Sequence, residues 1–144
     1  MYEAVVLMMT ALGSLRCHDK SRVIPVGYSM LLILYITLLR RTPEYNEEIR
    51  YHISFLPDVK VWTGNLLNVI LYIPLGGTIY NMAASIKGTA FAALLSSLLC
   101  EIIQYFTHRG VADINDVLFN LIGACAGALL FRAFRAFKKK KDLQ

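Results

Sequence analysis

Residues 101–120 read EIIQYFTHRGVADINDVLFN. They join two apolar runs, yet they carry Glu101, Gln104, His108, Arg109, Asp113, Asp116 and Asn120. Polar groups gathered around a turn, at the mouths of two hydrophobic segments, are what a hairpin of membrane-crossing helices requires. Each helix satisfies its own backbone, and side-chain polarity is confined to places where it meets protein or water.

The bulk composition agrees. The 144 residues suffice for one domain, residues 1–144, and are 56% hydrophobic and 17% charged, with a mean hydropathy of +0.50. A soluble domain carries about 25% charge. A compact globule of this size has no room to hide the apolar surplus, so the fold class is an all-α integral membrane protein whose partner is the lipid bilayer. A crossing takes about 20 mostly apolar residues. Residues 23–39, 62–82, 88–106 and 111–131 qualify as spans. A shorter run, 4–15, would thin the bilayer or lie in its interface, and counting it gives a bundle of about five transmembrane helices. Between the second and third runs lies one sizeable loop, 40–61, in which Thr42, Pro43 and Glu44 read as a helix start.

The net charge of +5 does not point to nucleic acid, since no aromatic-basic platform or reading helix accompanies it. Six of the fifteen Lys and Arg fall in a basic tail, 132–144, directly after an apolar run. With that tail inside, alternation leaves ten basic residues inside and five outside. This bias places the C-terminus in the cytoplasm and loop 40–61 outside. The run Lys138–Lys141 reads as an anchor for that topology. Cys17, Cys100 and Cys125 have neither the even count of a disulfide framework nor the spacing of a zinc site. No cofactor is implied.

Helical periodicity sorts the polar residues. Arg109, Asp113, Asp116, Asn120, Gly123 and Gly127 recur every three or four positions, and so do Ala90, Leu94, Ser97, Glu101, Gln104 and His108. The third span adds Asn65, Asn68, Tyr72 and Gly76. Each set keeps to one helix face. At about 1.5 Å per residue, Asn68, Glu101, Gln104, Asp116 and Asn120 reach similar depths below the outer interface. An ionised group facing lipid costs about 2.5–3.5 kcal/mol, so these residues are expected to line an inward pocket open to the outside. Plainer roles exist for some of them. Asp113 and Asp116 at a helix start complement its dipole, and Gly123 and Gly127 form a small-xxx-small pair suited to close packing. Glu101 lies mid-segment, where the dipole gives it no benefit. Glu101, Asp113 and Asp116 against Arg109 leave a formal charge of −2. Such a set must share protons or hold a cation, which suits acid–base chemistry better than a grip on phosphate. Arg109 is expected within salt-bridge reach of Asp113 or Asp116, with Glu101 facing them.

Two stretches, NVILYIPLGGTIYN at 68–81 and CEIIQYFTHRGVADINDVLFNLIGACAG at 100–127, resemble the VanZ-like family of small bacterial membrane proteins. The likeness rests on Asn68 before Pro74, Leu75 and Gly76, on Glu101 and Gln104 with Arg109 following, and on Asp113, Asp116, Asn120 and Gly123 in order. It implies a protein of the bacterial plasma membrane. The family's founding member is associated with low-level resistance to teicoplanin, a glycopeptide acting on lipid-linked peptidoglycan precursors at the outer face.

The expected function is therefore an envelope protein that binds a lipid-linked cell-wall precursor or glycopeptide, with or without modifying it. Glu101, Asp113 and Asp116 are the candidate acid–base groups. Asn68, Gln104, Arg109 and Asn120 are candidates for ligand binding, and Gly76, Gly123 and Gly127 for helix packing. Whether a reaction is catalysed stays open. The rival readings are a proton- or cation-coupled carrier, which a homo-oligomer could build around a shared pore, and a structural or partner-binding membrane module.

Overall fold

A computed structural model describes residues 23–39, 49–50 and 59–142. Helix α1 spans Val23–Leu34 and continues as a π-helical turn, Tyr35–Leu39. Helices α2 (Val59–Ala83), α3 (Ile86–Thr107) and α4 (Ile114–Lys141) follow, of 25, 22 and 28 residues. Each of these three contains a stretch long and apolar enough to cross a bilayer, and the shorter α1 is apolar throughout. The chain is an all-α membrane protein on this architecture. Run 4–15 and the Thr42 helix start lie outside the described residues.

The helix ends differ from the sequence expectation in informative ways. α4 begins at Ile114 rather than near 111, because Asp113 is extended (φ −130°, ψ 122°) and its carboxylate caps the helix by accepting from the Asn115 N–H at 2.9 Å. Arg109 and Asp113 therefore do not share a helix face with Asp116. At its other end α4 runs on to Lys141, so most of the expected tail 132–144 is helical. Lysines in that last turn offset the partial negative charge of the helix end. α2 starts at Val59, inside the expected loop, and that loop also contributes a short strand. Strand β1 (Ile49–Arg50) pairs in parallel with β2 (Ala112–Asp113), setting Ile49 opposite Ala112 and Arg50 opposite Asp113.

The bundle is built around α2, where Tyr72 and Leu75 have no exposed surface and Pro74 and Thr78 are fully buried. Tyr72 and Leu75 pack with Ile33 of α1, Ala93 and Cys100 of α3, and Ala124 of α4. α2 and α4 run parallel. Trp62 stacks edge-on against Phe119 near their starts, and Tyr80 against Phe131 toward their ends, each at 6.5 Å between ring centres. Between these pairs the two backbones touch. A Cβ at Gly76 would overlap the Ala124 carbonyl, one at Gly123 the Val69 carbonyl, and one at Gly127 the Ile73 carbonyl. Only a bare Cα fits such a crossing. Beyond it, Arg135 bonds both the backbone and side-chain oxygens of Asn81 and lies over the Phe131 ring, 5.1 Å from its centre.

The opposite surfaces, including Phe91, Leu99, Ile102 and Phe106 of α3 and Leu129 and Leu130 of α4, are exposed and apolar. They suit a lipid environment. Hydroxyls inside the bundle mostly satisfy themselves locally: Ser29, Thr37, Thr78, Thr89 and Ser96 each donate to a carbonyl three or four residues back on their own segment.

Candidate functional site

The connector between α3 and α4 brings the polar residues of the opening stretch to one end of the bundle. α3 ends in a Schellman-type turn. His108 is left-handed (φ 52°), its N–H donates to Tyr105 O at 3.4 Å, and the next N–H, of Arg109, donates to Gln104 O at 3.2 Å. The chain reverses there, passes Gly110 and enters β2.

Glu101 is the centre of this end. It is only 8% exposed, and its Oε2 accepts from the Asp113 N–H at 2.8 Å. One carboxylate thus ties the middle of α3 to the strand that leads into α4. Asp113 in turn accepts from both the N–H and the Nδ2 of Asn115, each at 2.9 Å. The β1–β2 pair puts Ile49 and Arg50 against the same connector, directly beside the Glu101 contact.

One turn from Glu101, Gln104 is 1% exposed and its Nε2 donates to Thr37 O at 3.4 Å. Arg109 reaches past the connector and donates from Nη1 to Leu38 O at 3.2 Å. Both carbonyls belong to the π-helical turn. Carbonyls near a helix end need outside donors, and a guanidinium there also meets the negative end of the dipole. Arg109 is thus a clasp on α1, a role sequence spacing did not reveal, since a backbone carbonyl has no residue signature.

Deeper in, Asn120 of α4 donates from Nδ2 to Ser97 Oγ of α3 at 2.8 Å, with both side chains buried. The hydroxyl of Tyr72, from α2, neighbours Ser96, Ser97 and Cys100. Asp116 is half-buried in the first turn of α4, and Asn68 sits half-buried on α2. The bonds described here thus involve Glu101, Gln104, Arg109, Asp113 and Asn120. Thr37, Ser97 and Asn115 join them, and Tyr72 lies alongside. Of those four, Ser97 and Tyr72 were legible in the sequence as members of the polar stripes, whereas Thr37 and Asn115 carried no signal.

Chemically, this end holds a buried carboxylate, the three buried carboxamides of Gln104, Asn115 and Asn120, and a cluster of hydroxyls, drawn from four elements. It can accept hydrogen bonds, share protons and hold donor-bearing groups. No curated protein and no solved structure matches the chain. A family model described as VanZ/LLP1 matches residues 5–135, which takes in α1 to α3, both strands, α4 as far as Arg135 and the whole polar end. The chain belongs to the VanZ/LLP1 family.

Proposed function

We propose that the chain is a cell-envelope membrane protein whose polar end binds a lipid-linked cell-wall precursor or a glycopeptide from the outer side of the membrane, with Glu101 as the acid–base or donor-holding group. The observation that carries this reading is the Glu101 carboxylate: nearly buried, aimed at the connector and flanked by carboxamides. Placing an acid there is costly unless the site uses it. Gln104 supports it, since its Oε1 is buried and has no hydrogen-bond partner. A ligand hydroxyl or amide N–H would satisfy that oxygen. Asp113 and Asp116 stand at the entry to α4, and Asn120 orients from below.

A second reading is a structural module, in which the polar groups join helices. The contacts Glu101–Asp113, Gln104–Thr37, Arg109–Leu38 and Asn120–Ser97 favour it, because each ties two elements together. A carrier is less well supported. Beyond Tyr72 the interior of the described residues passes to Leu75, Ile79, Ala93, Ala124 and Ala128, and the hydroxyls buried there, Thr78 and Thr89, are taken up by carbonyls three or four residues back.

Glu101→Gln separates the first two readings. The amide oxygen still accepts from the Asp113 N–H, so folded yield in detergent is expected to match wild type. Growth under teicoplanin, at matched expression, is expected to fall to that of cells lacking the protein. Retained resistance in the variant would favour the structural module.

A further inference from the structure

Two buried polar groups lie one turn deeper than Glu101 without hydrogen-bond partners: the Tyr72 hydroxyl and Asn120 Oδ1. Tyr72 has no exposed surface and Asn120 is 4% exposed. They come from different helices, α2 and α4, and both adjoin Ser97 of α3. Ser97 Oγ accepts from Asn120 Nδ2 and keeps its own proton to donate. The neighbouring Ser96 donates to Ala93 O, so toward Tyr72 and Asn120 it can only accept and does not supply the donor that Asn120 Oδ1 needs.

Two unpaired polar groups in an apolar interior are a standing penalty. What they lack is complementary. Asn120 Oδ1 needs a donor, whereas the Tyr72 hydroxyl can give or take, and Ser97 can give. We propose that Tyr72, Ser97 and Asn120 form an internal water site between α2, α3 and α4. A water there donates to Asn120 Oδ1 and exchanges bonds with the two hydroxyls, close to the three hydrogen bonds that a buried water typically makes. Ser97 lies four residues before Glu101 on the same face of α3, and Cys100 neighbours Tyr72, Thr37 and Glu101. The site thus carries the polar end inward from the carboxylate and stops at Tyr72, where the core turns apolar. It gives Tyr72, which the sequence offered only as one member of a stripe, a specific task as a water ligand.

This inference does not rest on what the protein binds at its mouth, and its test uses the full chain in detergent with no ligand. The probe is water itself, by pulsed X-ray hydroxyl-radical footprinting read out by peptide mass spectrometry. Radicals form from water, so a side chain without exposure is oxidised rapidly only where a water is held against it. After correction for intrinsic reactivity, Tyr72 is expected to be oxidised several-fold faster than Phe119, although Phe119 is 8% exposed and Tyr72 is 0% exposed. A Tyr72 rate equal to or below that of Phe119 overturns the site. Asn120→Leu removes the acceptor and fills the space; in folded variant protein the Tyr72 rate is expected to drop to the Phe119 level. An unchanged Tyr72 rate in that variant also overturns the assignment. Should Asn120→Leu fail to fold, the wild-type comparison decides alone.

Discussion

Asp113 stands where three elements meet. Its N–H serves Glu101, its carboxylate caps α4, and its backbone lies opposite Arg50 in the strand pair. Replacing it with Ala removes the cap and leaves the N–H in place. Asp113→Ala is expected to lower stability by about 0.5–2 kcal/mol, seen as a lower Tm in detergent, with Asp113→Asn close to wild type. The opposite hairpin offers a change of the other sign. Ala84 is exposed and left-handed, with φ 52°. That conformation costs an L-residue roughly 1–2 kcal/mol. Ala84→Gly is therefore expected to stabilise by about 0.5–1 kcal/mol once glycine's greater unfolded-chain entropy is subtracted, and a raised Tm would register it. At this scale the sequence was least explicit about Arg109. Its spacing to Asp113 assumed a helix that begins only at Ile114, and its bond to the Leu38 carbonyl depends on where α1 ends.

Among the elements, the stripes were readable because a membrane helix is apolar by default, so each polar or small residue marks a buried face. Ser97, Glu101 and Gln104 on α3 and Asn120, Gly123 and Gly127 on α4 are all buried. The β1–β2 pair was not readable: two residues on each side carry no periodicity, and the pairing joins segments more than sixty positions apart. The extent of α4 was hidden for a different reason. Hydropathy marks where lipid ends, whereas Arg, Ala and Lys after Phe131 are good helix formers that continue the helix regardless. The α2–α4 crossing yields the sharpest prediction at this scale. Gly123→Leu with Gly127→Leu would drive side chains into the Val69 and Ile73 carbonyls, so a marked loss of folded yield and a lower Tm are expected. Leu replacements at Gly64, which has nothing within 4 Å of a built Cβ, serve as the control.

Across the described residues, α1 and α3 run one way and α2 and α4 the other, so the Glu101 end and the Asn81–Arg135 end lie at opposite ends of the bundle. We propose, from the charge bias of the sequence, that the Arg135 end faces the cytoplasm and the Glu101 end the outside. A reporter active only in the cytoplasm is expected to work when fused at the C-terminus, and one active only outside to be silent; the reverse result would invert the placement of the polar end. The parallel seam also dictates an order of events during synthesis. α2 is the least apolar of the three long helices and carries Asn65, Asn68 and an internal proline. Its flush glycine surface finds its mate only in α4, fifty-odd residues later in the chain. The seam can therefore close only once α4 has been made, and until then α2 has α1 and α3 to pack against. The tightest backbone packing among the described helices thus comes after α1, α2 and α3 can already share Ile33, Tyr72, Leu75, Ala93 and Cys100.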